Sequence, residues 1–167
     1  METLFNKEPR DWTPDEQKSV VDIYKMLVDM ADKVSQRRQS ANNFFLSVNT
    51  ALIGASAYIS TLPQSNPGRI FAIAIAGILV SVAWIRNINS YKDLNDGKFA
   101  VITAIEKELP ISAYRAEWYY LERGTNSKRY RPFHSVEIWV PLTFFAVHLF
   151  QVVSNIPWAI IVACVVR

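Results

Sequence analysis

The placement of charge constrains this chain more than any other feature. Between Arg38 and Arg86 the sole charge is Arg69, and between Glu137 and Arg167 there is none. A helix needs roughly 20 mostly apolar residues to cross the hydrocarbon core of a bilayer. Three apolar runs approach that length, at 44–61, 70–85 and 138–165. Each alone would suit a core helix of a soluble protein. Three in a chain of 167 residues, two of them joined by the short 62–68 turn, are hard to bury in water. The averages, 50% apolar and 20% charged with a mean hydropathy of +0.07, conceal this blocky layout.

The expectation is therefore an all-α integral membrane protein. It would have a transmembrane helical hairpin, a cytoplasmic helical region and a C-terminal kinked transmembrane helix. In segments, 1–41 is a cytoplasmic N-terminal helix and 42–85 the hairpin. Residues 86–136 form the cytoplasmic helical region and 137–167 the C-terminal membrane segment. The first 38 residues carry eight acids and seven bases without an apolar run, so no signal peptide is evident. Seven of the eighteen Lys and Arg precede the first run and nine lie in 86–137. The positive-inside rule puts both regions in the cytoplasm.

Local signals refine the helices. Thr13-Pro14-Asp15-Glu16 reads as a capping box with Pro at the first helical position. Val20, Tyr24, Leu27, Ala31 and Val34 follow at helical spacing. Tyr91, Leu94, Ile102, Ile105 and Leu109 extend the second run into the charged region until Leu109-Pro110 ends it, with Gly97 as a weak point. Pro141 lies in the first turn of the last run, and Ser154-Asn155-Ile156-Pro157 breaks it. One kinked span or a re-entrant segment fits that break.

Polar residues inside apolar runs are the candidate functional positions. Ser47, Asn49 and Thr50 interrupt the first run and would line or support an opening. His148 and Gln151 in the last run favour an interhelical hydrogen bond over ion handling. Arg37 and Arg38, and likewise Lys128, Arg129 and Arg131, would meet anionic headgroups. Trp84 and Trp139 stand where aromatic belts are expected.

Enzymatic signals are sparse. Five glycines form no phosphate loop, and a single Cys164 with two histidines excludes cysteine-based zinc sites. No metal and no cofactor is expected. Arg129 and His134 have the Arg-x4-His spacing of HEPN-type ribonucleases, in which Arg stabilises phosphate and His transfers protons. With ten arginines and two histidines such a spacing also arises by chance, and Pro132 interrupts a helix there. A net charge of +3 is too small to argue for DNA or another nucleic acid.

A resemblance adds to this. Ala31-Asp32-Lys33-Val34-Ser35-Gln36-Arg37-Arg38 with Ala41-Asn42-Asn43-Phe44-Phe45 is one part of it. The central block Ser90-Tyr91-x-x-Leu94-Asn95-x-x-Lys98-Phe99-x-Val101-Ile102 is the most specific, with Trp84, Glu106 and Leu109-Pro110 around it. Tyr114, Glu117-Trp118, Tyr130, Pro132, Glu137 and Pro141 complete the pattern. Over about 20–145 the chain resembles the RipA family of small octameric bacterial membrane proteins, similar in layout to SLATT-type two-helix modules. Gly97 and His134 depart from the pattern. His134 makes the chain similar to a CRISPR-associated, HEPN-like membrane pore of like size. The resemblance implies a homo-octamer in contact with lipid in the bacterial inner membrane, with a CRISPR effector or RNA as further partner. Three functions stay open: a pore-like antiviral effector, a membrane-anchored ribonuclease or RNA-binding accessory, and a non-conducting scaffold.

Overall fold

A computed structural model describes residues 4–63, 67–126 and 133–156, with backbone alone at 133 and 134. Five α-helices and two short 3-10 turns make up the described chain, with no strand among the described residues. The helices are α1 (Pro14–Ser60), α2 (Pro67–Glu106), α3 (Ala113–Tyr120), α4 (Phe133–Glu137) and α5 (Trp139–Ser154). The 3-10 turns are Pro9–Asp11 and Glu122–Gly124.

The helix ends follow the local chemistry. At the start of α1 the Glu16 N–H donates to Thr13 Oγ1 at 3.3 Å, and the Thr13 N–H donates to Glu16 Oε2 at 2.7 Å. Lys7 adds an ion pair to the same carboxylate at 2.9 Å. Its hydrogen bond, together with the one from the Thr13 backbone, pulls the Glu16 carboxyl down to about 2. α2 runs unbroken through Gly97 and stops at Glu106, three residues before Leu109. Its exit tightens into three-residue turns, the N–H groups of Glu108 and Leu109 reaching Ile105 O and Glu106 O. Pro110 then forbids a return to helix. A break at Ile138 separates α4 from α5. Pro141 explains it, because its ring opposes the carbonyl four residues earlier. Asn155 closes α5, its N–H bonding to Gln151 O at 3.2 Å. Residues 157–167, on which the choice between spanning and re-entry falls, lie outside the described residues.

The chain divides into two compact units. One comprises Met1–Ser40 and Ile88–Val136, the other Ala41–Asn87 and Glu137–Arg167. The first unit has an ordinary core: Ala31 and Val34 of α1 and Ile88, Ile102 and Ile105 of α2 are buried. The second unit is inverted. Asn49, Ser56, Ser81 and His148 are buried, beside Ala74, Gly77, Trp84 and Pro141 among the described residues. Large apolar residues such as Phe44, Leu79, Trp139 and Phe150 are exposed. In water the hydrophobic effect would drive the opposite arrangement.

Two helical stretches, Pro67–Glu106 and Ser135–Ser154, are long and apolar enough to cross a membrane. Their most apolar windows are only 22% and 11% buried, whereas the core helix of a soluble protein would be mostly covered. The first apolar run, on α1, is not among them. Ser47, Asn49, Thr50, Ser56 and Ser60 dilute it.

Candidate functional site

The buried polar residues of the inverted unit form short hydrogen-bonded chains that tie its three helices together. At one level the Trp84 indole N–H donates to Asn42 Oδ1 at 2.8 Å. The same indole stacks on Phe45, with centroids 5.8 Å apart and planes at 11°, and meets Phe144 of α5 at 6.1 Å. Trp84 is thus an internal anchor and not the interfacial belt residue its position predicts, because Asn42 already satisfies its N–H. Trp139, by contrast, is 68% exposed.

Further along, the Ser81 hydroxyl donates to Asn49 Oδ1 at 3.1 Å, and Asn49 Nδ2 donates back to Phe45 O at 3.0 Å. The contacts of Asn42 and Phe45 with Trp84, and of Asn49 with Ser81, advance on α1 as they retreat on α2. These segments are therefore antiparallel, as a hairpin requires.

The third level recruits α5. Gln151 Nε2 donates to Ser56 Oγ at 2.8 Å, while the Ser56 hydroxyl donates to Ile53 O at 2.8 Å. This fixes the Gln151 amide, whose Oε1 faces His148 Nδ1 at 3.3 Å. An amide oxygen only accepts, so Nδ1 carries the proton in the neutral ring. Nε2 then presents a lone pair, and it has no hydrogen-bond partner. The imidazole rests on Gly77, where a Cβ would overlap Cε1, Nε2 and Cδ2 of the ring. Glycine at this position is what lets the ring approach α2 so closely.

The other unit has its own buried polar centre. Glu106, at the last position of α2, is fully buried. Its Oε1 accepts from the Tyr24 hydroxyl at 2.9 Å and from the Tyr114 N–H at 2.9 Å, and its Oε2 accepts from the Arg115 N–H at 3.0 Å. Ser112, the residue before α3, makes no side-chain cap, and its hydroxyl donates to Glu106 O at 3.1 Å. Glu106 therefore caps α3 from another helix, satisfying two otherwise orphan N–H groups. Burial, then the hydrogen bond to Glu106, pushes the Tyr24 hydroxyl up to about 12. Burial also raises Tyr114, whose ring meets Phe99 at 5.4 Å.

The residues singled out by sequence are distributed as follows. Ser47 and Thr50 are exposed on α1, Ser47 donating to Asn43 O at 2.9 Å, whereas Asn49 is internal. His148 and Gln151 make the interhelical hydrogen bonding expected of them. Arg37 is exposed and Arg38 half-buried. Lys128, Arg129 and Arg131 lie outside the described residues, as does the side chain of His134. Gly77 and the Glu106 cap were not singled out in advance. Glycine inside an apolar run is a weak signal for Gly77, and a carboxylate reaching main-chain N–H groups leaves no pattern in sequence.

Helices throughout the described residues, one unit with polar groups turned inward and apolar ones outward, and two helices long and apolar enough to cross a bilayer define an integral membrane protein. Residues 21–157 match the family model described as "Octameric membrane protein family (8xMP)". The chain belongs to that family and is accordingly a self-associating membrane protein. Neither the curated proteins nor the solved structures contain a match.

Proposed function

We propose that the protein is a homo-octameric, pore-like protein of the bacterial inner membrane, with its N-terminal and central charged regions in the cytoplasm. The inverted unit is the observation that carries this reading. A subunit whose polar side chains hydrogen-bond internally, with apolar ones outside, can be immersed in lipid and packed against copies of itself. Membership of an octameric family supports a ring. Ser47 and Thr50 lie on the exposed side of α1 and would line its opening, with Asn49 supporting that helix from behind. Arg37 and Arg38, with Lys128 and Arg131, would contact anionic headgroups.

The resemblance to RipA proteins and to CRISPR-associated membrane pores favours a defence effector, triggered by an RNA-guided partner. Dye-loaded liposomes carrying the purified octamer test the pore. Release of small dyes and retention of large ones is expected, with Ser47→Leu and Thr50→Leu reducing flux. An intact octamer that releases nothing, with or without the partner, would reduce the protein to a scaffold.

A further inference from the structure

Apolar side chains exposed in the membrane unit can be covered by lipid. In the charged unit two groups of exposed apolar side chains stand close together in sequence. Ile23, Met26 and Met30, spaced by three and four, make a ridge on α1 and are 48%, 52% and 41% exposed. They adjoin the stripe of Ala31 and Val34 that packs into the core, so the apolar arc of α1 is wider than its own unit covers. On α3 and the turn after it, Ala116, Tyr119, Tyr120 and Arg123 line an open groove of about 560 Å³. Tyr119 is 74% exposed.

The groove is held in shape by its own backbone. Glu122, Arg123 and Gly124 have φ of 52°, 54° and 72°, a left-handed run that two L side chains adopt only at a cost. The flank of the ridge is electrically quiet. Asp22–Lys25 and Asp29–Lys33 are paired at 3.2 and 2.6 Å, so no net charge opposes a copy of the same chain. Methionine is flexible and makes favourable sulfur–aromatic contacts, which suits a ridge meeting tyrosines.

We infer that the Ile23–Met26–Met30 ridge of one subunit seats in the Tyr119–Tyr120 groove of the next, as the cytoplasmic contact of the octamer. The inference rests on the ring reading above. A closed cyclic ring needs a head-to-tail contact between two different surfaces of each subunit, and ridge and groove are two such surfaces. A self-matching patch would stop at a dimer.

The test co-expresses two differently tagged full-length variants, Met26→Cys and Tyr119→Cys, both in a Cys164→Ser background. Membranes are treated with a short bismaleimide linker. Both positions are exposed, so the substitutions leave the core intact. Expected is a dimer containing one copy of each tag, and no dimer when either variant is expressed alone. The double variant should give a ladder rising to eight. Met30→Asp added to the double variant, which keeps both cysteines, should abolish the ladder. Linked dimers from a single variant would show a self-matching contact and overturn the inference. An octameric mass in detergent with no mixed-tag dimer would overturn the inference and leave the octamer standing. A monomeric mass would bring down the ring itself.

Discussion

Replacing Gly77 with alanine should be among the most damaging single-methyl additions in this protein. The new Cβ would fall on the His148 imidazole, which is fully buried and must shift to admit it. Overpacking of this kind costs about 1–3 kcal/mol. Moving the ring also strains its contact with Gln151, and through it the Gln151–Ser56 bond between α5 and α1. Interhelical hydrogen bonds in membranes are worth roughly 0.6 kcal/mol on average and about 1.7 at most. Together the loss should be roughly 2–4 kcal/mol, measured as reversible unfolding in mixed micelles by SDS titration. The control is His148→Ala. With the ring gone, the three closest contacts of the new Cβ are removed, and alanine's helix preference of about 1 kcal/mol makes Gly77→Ala neutral or stabilising. The cycle should therefore give a coupling of about 2 kcal/mol or more. Costs that add to within about 0.5 kcal/mol would refute the contact, as would a Gly77→Ala variant stabilised in the parent.

Glu106→Gln sets an NH2 donor against one of three donors and should cost about 1–3 kcal/mol in chemical denaturation, while Tyr24→Phe removes a single bond and should cost about 1 kcal/mol. In the membrane unit, Ser81→Ala should destabilise by roughly 0.6–1.7 kcal/mol, with the loss vanishing in an Asn49→Leu background. The Glu16 carboxyl lies near 2 in the fold against 4.5 ordinarily, so its contribution is complete above about pH 4.5 and fades as pH falls toward 2. Lys7→Ala should shift the Glu16 carboxyl resonance upward in an NMR titration. For Tyr24 the folded value near 12 exceeds 10, so that contribution is present below pH 10 and is lost between 10 and 12. Tyrosinate absorbance, differenced against Tyr24→Phe, would show it.

The fold class was legible because blocks of charge and their absence are one-dimensional facts. The capping box at Thr13 and the stop at Ser154 are equally local, and each appears where its residues stand. Trp84 was misplaced for a reason that lies off the sequence line: a partner 42 residues away, Asn42, turns a belt residue into a core one. The first apolar run reads as a span when its charges are counted. Its serines and asparagine then serve as interhelical bonds, lowering the hydropathy that would mark it. Of the expected lining residues, Asn49 faces inward while Ser47 and Thr50 do not, a distinction set by helix rotation. The Glu106 cap was invisible because only main-chain groups of α3 take part in it.

That last feature has an evolutionary corollary. A fastening made to amide N–H groups is indifferent to which side chains the fastened helix carries. Exposed positions such as 119 and 120 can therefore change without loosening the joint that holds the helix. A lineage can thus alter the outward Tyr119 and Tyr120 while inheriting the same latch, so diversity should concentrate at such exposed positions and constancy in Glu106.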